Sequence, residues 1–429
     1  MGRPIIRIAI DPGYSSLKVV IEGVLLTLPC DVIENTGNED KFISDKEANY
    51  AAITVFGKTY LVGNYARKLL LEENRQHAQD VNLNVLNDFE RFTSTYFEVS
   101  MKAAIGIALA QYCDFSQRMH LKPEIHIEDL PDCDIYLSIC VPQAVFDMGP
   151  KGPMGLIKQR MYDKHEFTLD LAEKSYDLKF SIVKNCKFKF QSQVVSALVG
   201  TLVDEFDTEM GIINLENTMK PILVIDGGYK TVGIFKLSQI DSVEEAESNP
   251  DFAMAKVDQR VAEIMAERGR SDIKCYNIQE LYDNNEEVVI IDNGETKYIT
   301  INRDREEVAA EMCGALIDYL RKKYNNLLPI KQILVTGGTG AAYFGTLLNY
   351  INTQPEMAHL RGRVHLAEYK FYQQDAHPMH AIVCGLYKQF KKYLDASIEE
   401  KIPATTASKP ASERRSNKPR VALDNSKEG

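Results

Sequence analysis

The chain has 429 residues, 45% hydrophobic and 26% charged, too long for one core and apolar enough to build two, which excludes a globally disordered protein. A formal net charge of −11 excludes direct wrapping of nucleic acid by the body, because that footprint is a basic domain or stripe. The eight cysteines form no C-x-x-C pair, no signal-peptide pattern is present, and no apolar run approaches the ~18 residues of a membrane span; a reduced, cytoplasmic protein is expected.

Residues 5–10 form a short apolar run that stops at Asp11-Pro12-Gly13 and resumes at 17–21, which predicts strand, tight turn and strand, with a third strand at 23–28. Residues 64–120 have helical spacing, and 134–141 read as a buried strand ended by Pro142. Helices thus alternate with strands, the pattern of an α/β lobe. Residues 191–206 are a further helical candidate. From Pro221 the opening pattern returns: strand 222–225, turn Asp226-Gly227-Gly228-Tyr229, strand 231–235. Ile-Asp-x-Gly-Tyr therefore occurs at 10–14 and at 225–229, one functional turn repeated once per lobe. A helix is expected over 305–324, then a strand at 332–335 running into Thr336-Gly337-Gly338-Thr339-Gly340. Residues 402–429, rich in Pro, Ser and Ala with six Lys/Arg against three Asp/Glu, predict a disordered, locally basic tail.

The paired turns suit a polyphosphate. Backbone N–H groups reach phosphate oxygens only where glycine or a tight turn lets the main chain approach, and Gly13 in Pro12-Gly13-Tyr14 and Gly228 in Gly227-Gly228-Tyr229 supply that approach. Ser15, Ser16 and Thr231 add hydroxyl donors, and Lys18 and Lys230 add compact positive charge. Asp11 and Asp226 would repel a polyphosphate in a partly dehydrated cleft, so Mg²⁺ is expected between carboxylates and phosphates, held largely through water. Both aspartates thereby count as catalytic as well as metal-holding residues. Hydrolysis also requires a polar side chain to position water; Gln191 is the candidate, with Gln193 as the competing assignment. Gly337 and Gly338, with Thr339 beside them, leave room for an adenine and ribose against the backbone.

Other patterns carry less. His377 and His380 stand at i, i+3 and read as loop or helix histidines rather than a metal pair, and 151–155 lack the phosphate-loop pattern and read as a surface loop.

Taken in order, 11–18, 191–200, 226–233, 336–340 and 381–387 resemble the two phosphate motifs, the first connecting helix, the adenosine motif and the second connecting helix of the actin, Hsp70 and sugar-kinase superfamily. Within it the chain is most similar to ParM-type bacterial actins. That resemblance implies an α/β, actin-like ATPase fold: two lobes, each with a mixed five-stranded sheet flanked by helices, and the nucleotide in the interlobe cleft. Lobe I is then 1–200 plus 376–397 and lobe II 201–375. It further implies ATP hydrolysis (with GTP as the alternative nucleotide), self-assembly into filaments, and a DNA-binding adaptor at a centromere-like plasmid site. A small-molecule kinase of the same superfamily and a filament with a non-segregation role are the alternatives.

Overall fold

The computed structural model describes residues 3–36, 50–72, 88–172, 174–203, 213–214, 220–239, 242–292, 294–367 and 377–399; the predicted tail at 402–429 lies outside them. The chain opens with β1 (Ile5–Pro12), β2 (Ser16–Ile21) and β3 (Val24–Pro29), then β4 (Val32–Glu34), β5 (Ala51–Val55) and β6 (Lys58–Val62). Helices α1 (Gly63–Glu72), α2 (Asp88–Thr93) and α3 (Thr95–Arg118) lead to β7 (Asp134–Val141). After α4 (Gln143–Asp147) and α5 (Pro153–Met161) come β8 (Lys164–Leu171), β9 (Lys174–Ser181), β10 (Phe190–Ser192) and α6 (Gln193–Thr201). A short parallel pair, β11 (Leu202–Val203) and β12 (Ile213–Asn214), precedes the second lobe.

That lobe begins with β13 (Ile222–Gly227), β14 (Val232–Gln239) and β15 (Ser242–Asn249), continues through α7 (Met254–Glu267), α8 (Cys275–Asp283) and the hairpin β16 (Glu287–Asp292) and β17 (Glu295–Thr300), and then forms α9 (Asn302–Lys323). Strand β18 (Gln332–Thr336), α10 (Gly337–Thr353), β19 (Val364–Leu366) and finally α11 (Ala381–Glu399) complete the described chain.

Two sheets share one topology. Their strand orders are β10-β7-β1-β2-β3 and β19-β18-β13-β14-β15, so β1 and β13 are equivalent central strands. Each pairs antiparallel with the strand after its turn and parallel with a later strand. The repeat seen in five residues is thus the visible part of a repeated sheet. Strands buried on both faces explain the continuous apolar runs at 5–10 and 222–225.

A third sheet, β4-β6-β5-β8-β9, is antiparallel throughout and adds to the first lobe an element beyond the expected pair. Helix α3 lies between this sheet and the mixed one, which accounts for its burial on nearly every side. The 151–155 segment, expected as a loop, enters α5 with Pro153 in the first turn, where the missing N–H has no helical partner to lose.

The helix expected from 191 starts at Gln193. Residues 190–192 instead extend the sheet, with Gln191 in register with Cys140 of β7, because parallel pairing satisfies their backbone groups before the chain turns. Helices α6 and α11 pack on one another between the two mixed sheets. Ala197, Val383 and Leu386 face Ala9, Val20 and Cys140 of the first sheet. Val194, Leu198 and Ala381 face Ile222, Val224 and Leu334 of the second. Each fully buried aliphatic side chain here contributes about 2 kcal/mol. Among the described residues no helix is long and apolar enough to cross a membrane.

The end of β13 sits almost in contact with the start of α10. A side chain on Gly227 would place its Cβ 2.0 Å from the Gly340 nitrogen, whereas a Cβ on Gly338 meets nothing within 4 Å. Gly227→Ala should therefore lower the unfolding free energy by about 3 kcal/mol. Gly338→Ala should stay within about 1 kcal/mol of the parent, on the stabilising side. Urea unfolding of the two variants checks both.

Candidate functional site

Both Ile-Asp-x-Gly-Tyr turns open onto one cleft of about 2460 Å³ between the lobes. Enclosed small-molecule pockets hold about 300–1,000 Å³, so this is an open groove long enough for an extended anion. It lies at the carboxyl ends of β1 and β13, where strand order reverses in each sheet, the usual place for ligands in open α/β sheets.

The first turn is held by side chains from elements later in the chain. Nη2 of Arg91, a buried residue of α2, donates to the carbonyls of Pro12 at 2.6 Å and Gly13 at 2.5 Å. The Cys30 thiol donates to the Tyr14 carbonyl at 2.7 Å, and Nη2 of Arg67 to that of Ser15 at 2.5 Å. Burial, reinforced by Asp31, pushes the Cys30 thiol up to about 11, so it keeps the proton it donates. Four successive carbonyls are thus engaged by side chains of later elements, and Arg67 and Arg91 among them also line the cleft. The Gly13 N–H donates to the Asp11 carbonyl at 3.1 Å, so the later N–H groups of the turn are the ones an anion could meet.

The second turn repeats this logic with other partners. Gly228 N–H donates to the Thr231 carbonyl at 3.0 Å, Thr339 Oγ1 donates to the Gly228 carbonyl at 2.7 Å, and Ala255 N–H of α7 donates to the Tyr229 carbonyl at 2.8 Å. Tyr229 packs its ring against the second core beside the buried pair Asp258 and Arg305, whose carboxylate and Nε are 2.9 Å apart. Gly337 takes φ +81°, a left-handed conformation that brings the start of α10 against Gly227 and Asp226.

The two aspartates are equivalent in topology and unequal in charge compensation. Asp11 stands opposite Lys18 in the β1–β2 ladder; its Oδ2 is 3.4 Å from Lys18 Nζ and its Oδ1 accepts from Gln193 Nε2 at 2.8 Å. Asp226 stands opposite Gly233, which offers no cation, and among the described residues no side chain donates to it. Burial, with repulsion from Asp11, pushes the Asp226 carboxyl up to about 6. An under-compensated carboxylate beside a neutralised one suits a hard cation that takes its remaining ligands from water and phosphate. No group of three or more His, Cys, Asp or Glu among the described residues could hold a metal ion.

Every residue expected at the site lines this cleft except one: Asp11, Gly13, Tyr14, Ser15, Ser16 and Lys18 come from the first lobe, and Asp226–Thr231 with Gly337, Gly338 and Thr339 from the second. Gln191 lies elsewhere. Its Nε2 donates to Gln389 of α11 at 3.1 Å, and its Oε1 accepts from Ser192 N–H at 3.0 Å. Gln193, two residues later at the start of α6, is the glutamine that faces the cleft. The groove continues along α7 and α8 past Gln259, Glu263, Lys274 and Asn277. No local pattern marks these residues, nor Arg91, Arg67 or Cys30. His377 and His380 belong to a short turn, and burial first of all pushes His380 down to about 4.

No family model and no curated protein matches the sequence. Solved structures do match. The actin-like protein Alp7A aligns with a TM-score of 0.62 at 14% identity, over 94% of this chain and 99% of Alp7A. A non-polymerisable quadruple mutant of pCBH ParM aligns with a TM-score of 0.59 at 16% identity, over 90% of this chain and 99% of that one. Bacillus thuringiensis ParM with ATP aligns with a TM-score of 0.53 at 11% identity, over 91% of this chain and 100% of that one. The chain therefore has the α/β actin-like fold.

The Asp226 environment has a measurable consequence. An acid whose value is higher in the folded than in the unfolded state binds its proton more tightly when native, so stability falls as pH rises from about 3.8 to about 6. Asp226→Asn should abolish this fall and stabilise the ligand-free protein at neutral pH by about 2 kcal/mol, less than the full shift because cleft water reaches the carboxylate. Urea titrations between about pH 4 and pH 7 read the difference.

Proposed function

We propose that this protein is a Mg²⁺-dependent ATPase of the ParM type that assembles into nucleotide-dependent filaments, with lobe I formed by 1–200 and 376–397 and lobe II by 201–375. One observation carries the reading: equivalent turns of two equivalent sheets face each other across one cleft, with Asp11 neutralised and Asp226 left for a cation. Two similar structures support it, a ParM with ATP and a ParM mutant described as non-polymerisable.

The N–H groups of the two turns, apart from those of Gly13 and Gly228 that are donated within them, would grip the phosphates, with Lys18 and Lys230 supplying charge and the hydroxyls of Ser15, Ser16 and Thr231 further donors. Base and ribose would lie beyond Gly337, Gly338 and Thr339, along α7 and α8. Asp226, with Asp11 behind it, would hold Mg²⁺ largely through water; when bound, the ion neutralises phosphate charge. Gln193 anchors its amide nitrogen on Asp11, which leaves its oxygen to accept a hydrogen bond from the attacking water. The water oxygen bonds to the terminal phosphorus as the bridging P–O bond breaks with its electron pair going to ADP, and the proton lost by the water passes to a phosphate oxygen, releasing ADP and phosphate. Because α6 is wedged between the sheets, lobe closure and the placement of Gln193 are mechanically linked. The output is a homopolymer that segregates plasmid DNA through a DNA-binding adaptor, or serves another cytoskeletal role.

High-speed sedimentation with Mg²⁺ and ATP, GTP or no nucleotide should give pelletable polymer only with nucleotide. Its absence across protein and salt concentrations would favour a small-molecule kinase. Gln193→Ala should slow hydrolysis about a hundredfold with little loss of nucleotide binding, as expected for removal of a water-orienting group. Gln191→Ala should hydrolyse near the parental rate, and equal slowing in both variants would refute the assignment.

A further inference from the structure

A lysine-rich face of the first lobe stands apart from the cleft. Residues 184–192 and 387–393 together hold six lysines and no acidic residue, roughly three times the chain's average density of basic residues, on a protein of formal net charge −11. The two segments are neighbours in space. The Phe188 ring stacks on Phe390 with centroids 6.2 Å apart and on Tyr393 at 5.7 Å, Cys186 packs with Phe390 and Leu394, and Gln191 Nε2 donates to Gln389 of α11. Lys187 and Lys391, which follow and precede no acid and flank Phe188 and Phe390 in sequence, are left exposed beside this aromatic seam. Lys189 is half-buried, with its ammonium 5.4 Å from the Tyr162 ring centroid. Burial first, and then repulsion from Lys158 of α5, pushes that ammonium down, so a third segment brings its charge to the same place. Three acids at the margin are already engaged: Asp163 with Lys184 at 2.9 Å, and both Asp395 and the buried Glu22, on which Lys391 also acts, with Arg7. Lys158, Lys187 and Lys189 form no ion pair among the described residues.

We propose that this face is a docking surface for a short acidic peptide segment of another protein, a run of Asp and Glu laid across the seam between residues 184–189 and α11. Like charges that packing holds together raise one another's energy, and an anionic partner relieves it. The cations are lysines throughout, point charges without the planar fork of arginine, so the face recognises negative charge rather than one fixed bidentate geometry. Extent decides between polyanions. At physiological salt the field of such a patch reaches about 8 Å, and a short peptide lies wholly within it. A nucleic-acid duplex, with one charge per ~1.7 Å of a rigid rod, overhangs the patch onto a protein that is otherwise acidic, and an anionic membrane presents a plane that does the same. The surface requires no nucleotide in the cleft.

Fluorescence anisotropy of a labelled poly-glutamate peptide, titrated with the full-length protein without nucleotide or Mg²⁺, provides the test. Binding should saturate and weaken as salt rises. Lys187→Glu combined with Lys391→Glu should weaken it about tenfold, as two reversed surface charges do. Lys187→Arg with Lys391→Arg keeps the charge and should bind like the parent. Lys322→Glu with Lys331→Glu, two exposed lysines of the second lobe, should also leave binding unchanged. Absence of saturable binding by the parent overturns the proposal, as does equal weakening in the second-lobe control. Short duplex DNA and phosphatidylserine vesicles are titrated in parallel. Tighter binding of either than of the peptide, lost in the Lys187→Glu, Lys391→Glu variant, also overturns it and assigns the face to that polyanion. Circular dichroism separates lost binding from lost folding, and if the double variant does not fold, Lys187→Gln alone decides.

Discussion

Two carboxylates that cannot both remain uncompensated are brought to the same cleft by the same topology. Asp11 and Asp226 end the equivalent central strands of two sheets, and each strand points its carboxyl end at the groove. The chain resolves half of this conflict internally, through Lys18 and Gln193, and offsets the other half only in part, since Asp226 feels Lys18 at longer range while burial and Asp11 raise it. Charge that an internal lysine could have cancelled is thereby available to an external cation. On the proposed reading, that residual charge would favour an exchangeable ion over the stability of the unliganded fold.

The turns around these aspartates depend on groups distant in sequence. Arg91 and Arg67 come from helices that follow β6, and Cys30 follows β3, yet all three converge on the carbonyl side of 12–15. A phosphate-gripping turn needs its carbonyls directed away from the anion, and buried donors enforce that orientation more rigidly than solvent would. The second turn reaches the same end with Thr339 and the start of α7. Helices α6 and α11 complete the arrangement, since they occupy the space between the sheets and carry Gln193 to Asp11.

Much of this was legible in the residue pattern, and the parts that were not share a cause. The repeated Ile-Asp-x-Gly-Tyr, the apolar runs before each aspartate and the glycines at 337 and 338 mark the turns because those features are local. The choice between Gln191 and Gln193 is not local. It depends on whether residues 190–192 are extended or helical, and the parallel pairing of Gln191 with Cys140 of β7 turns Gln191 toward α11 and leaves Gln193 facing the cleft. The antiparallel sheet of the first lobe escaped notice for a similar reason, because its strands come from 32–62 and 164–181 and declare themselves only when paired.

By itself, then, the sequence determined the two-lobed α/β plan, the position of both Ile-Asp-x-Gly-Tyr turns and the residue types that line them, since backbone dihedrals and strand burial are set over a few neighbouring residues. Tertiary structure alone decided which aspartate pairs directly with a lysine, which glutamine faces the cleft, what braces the turns, and that Phe188 stacks on α11 beside the lysines of both segments. Those outcomes depend on distances between groups tens to hundreds of residues apart, which no local pattern encodes.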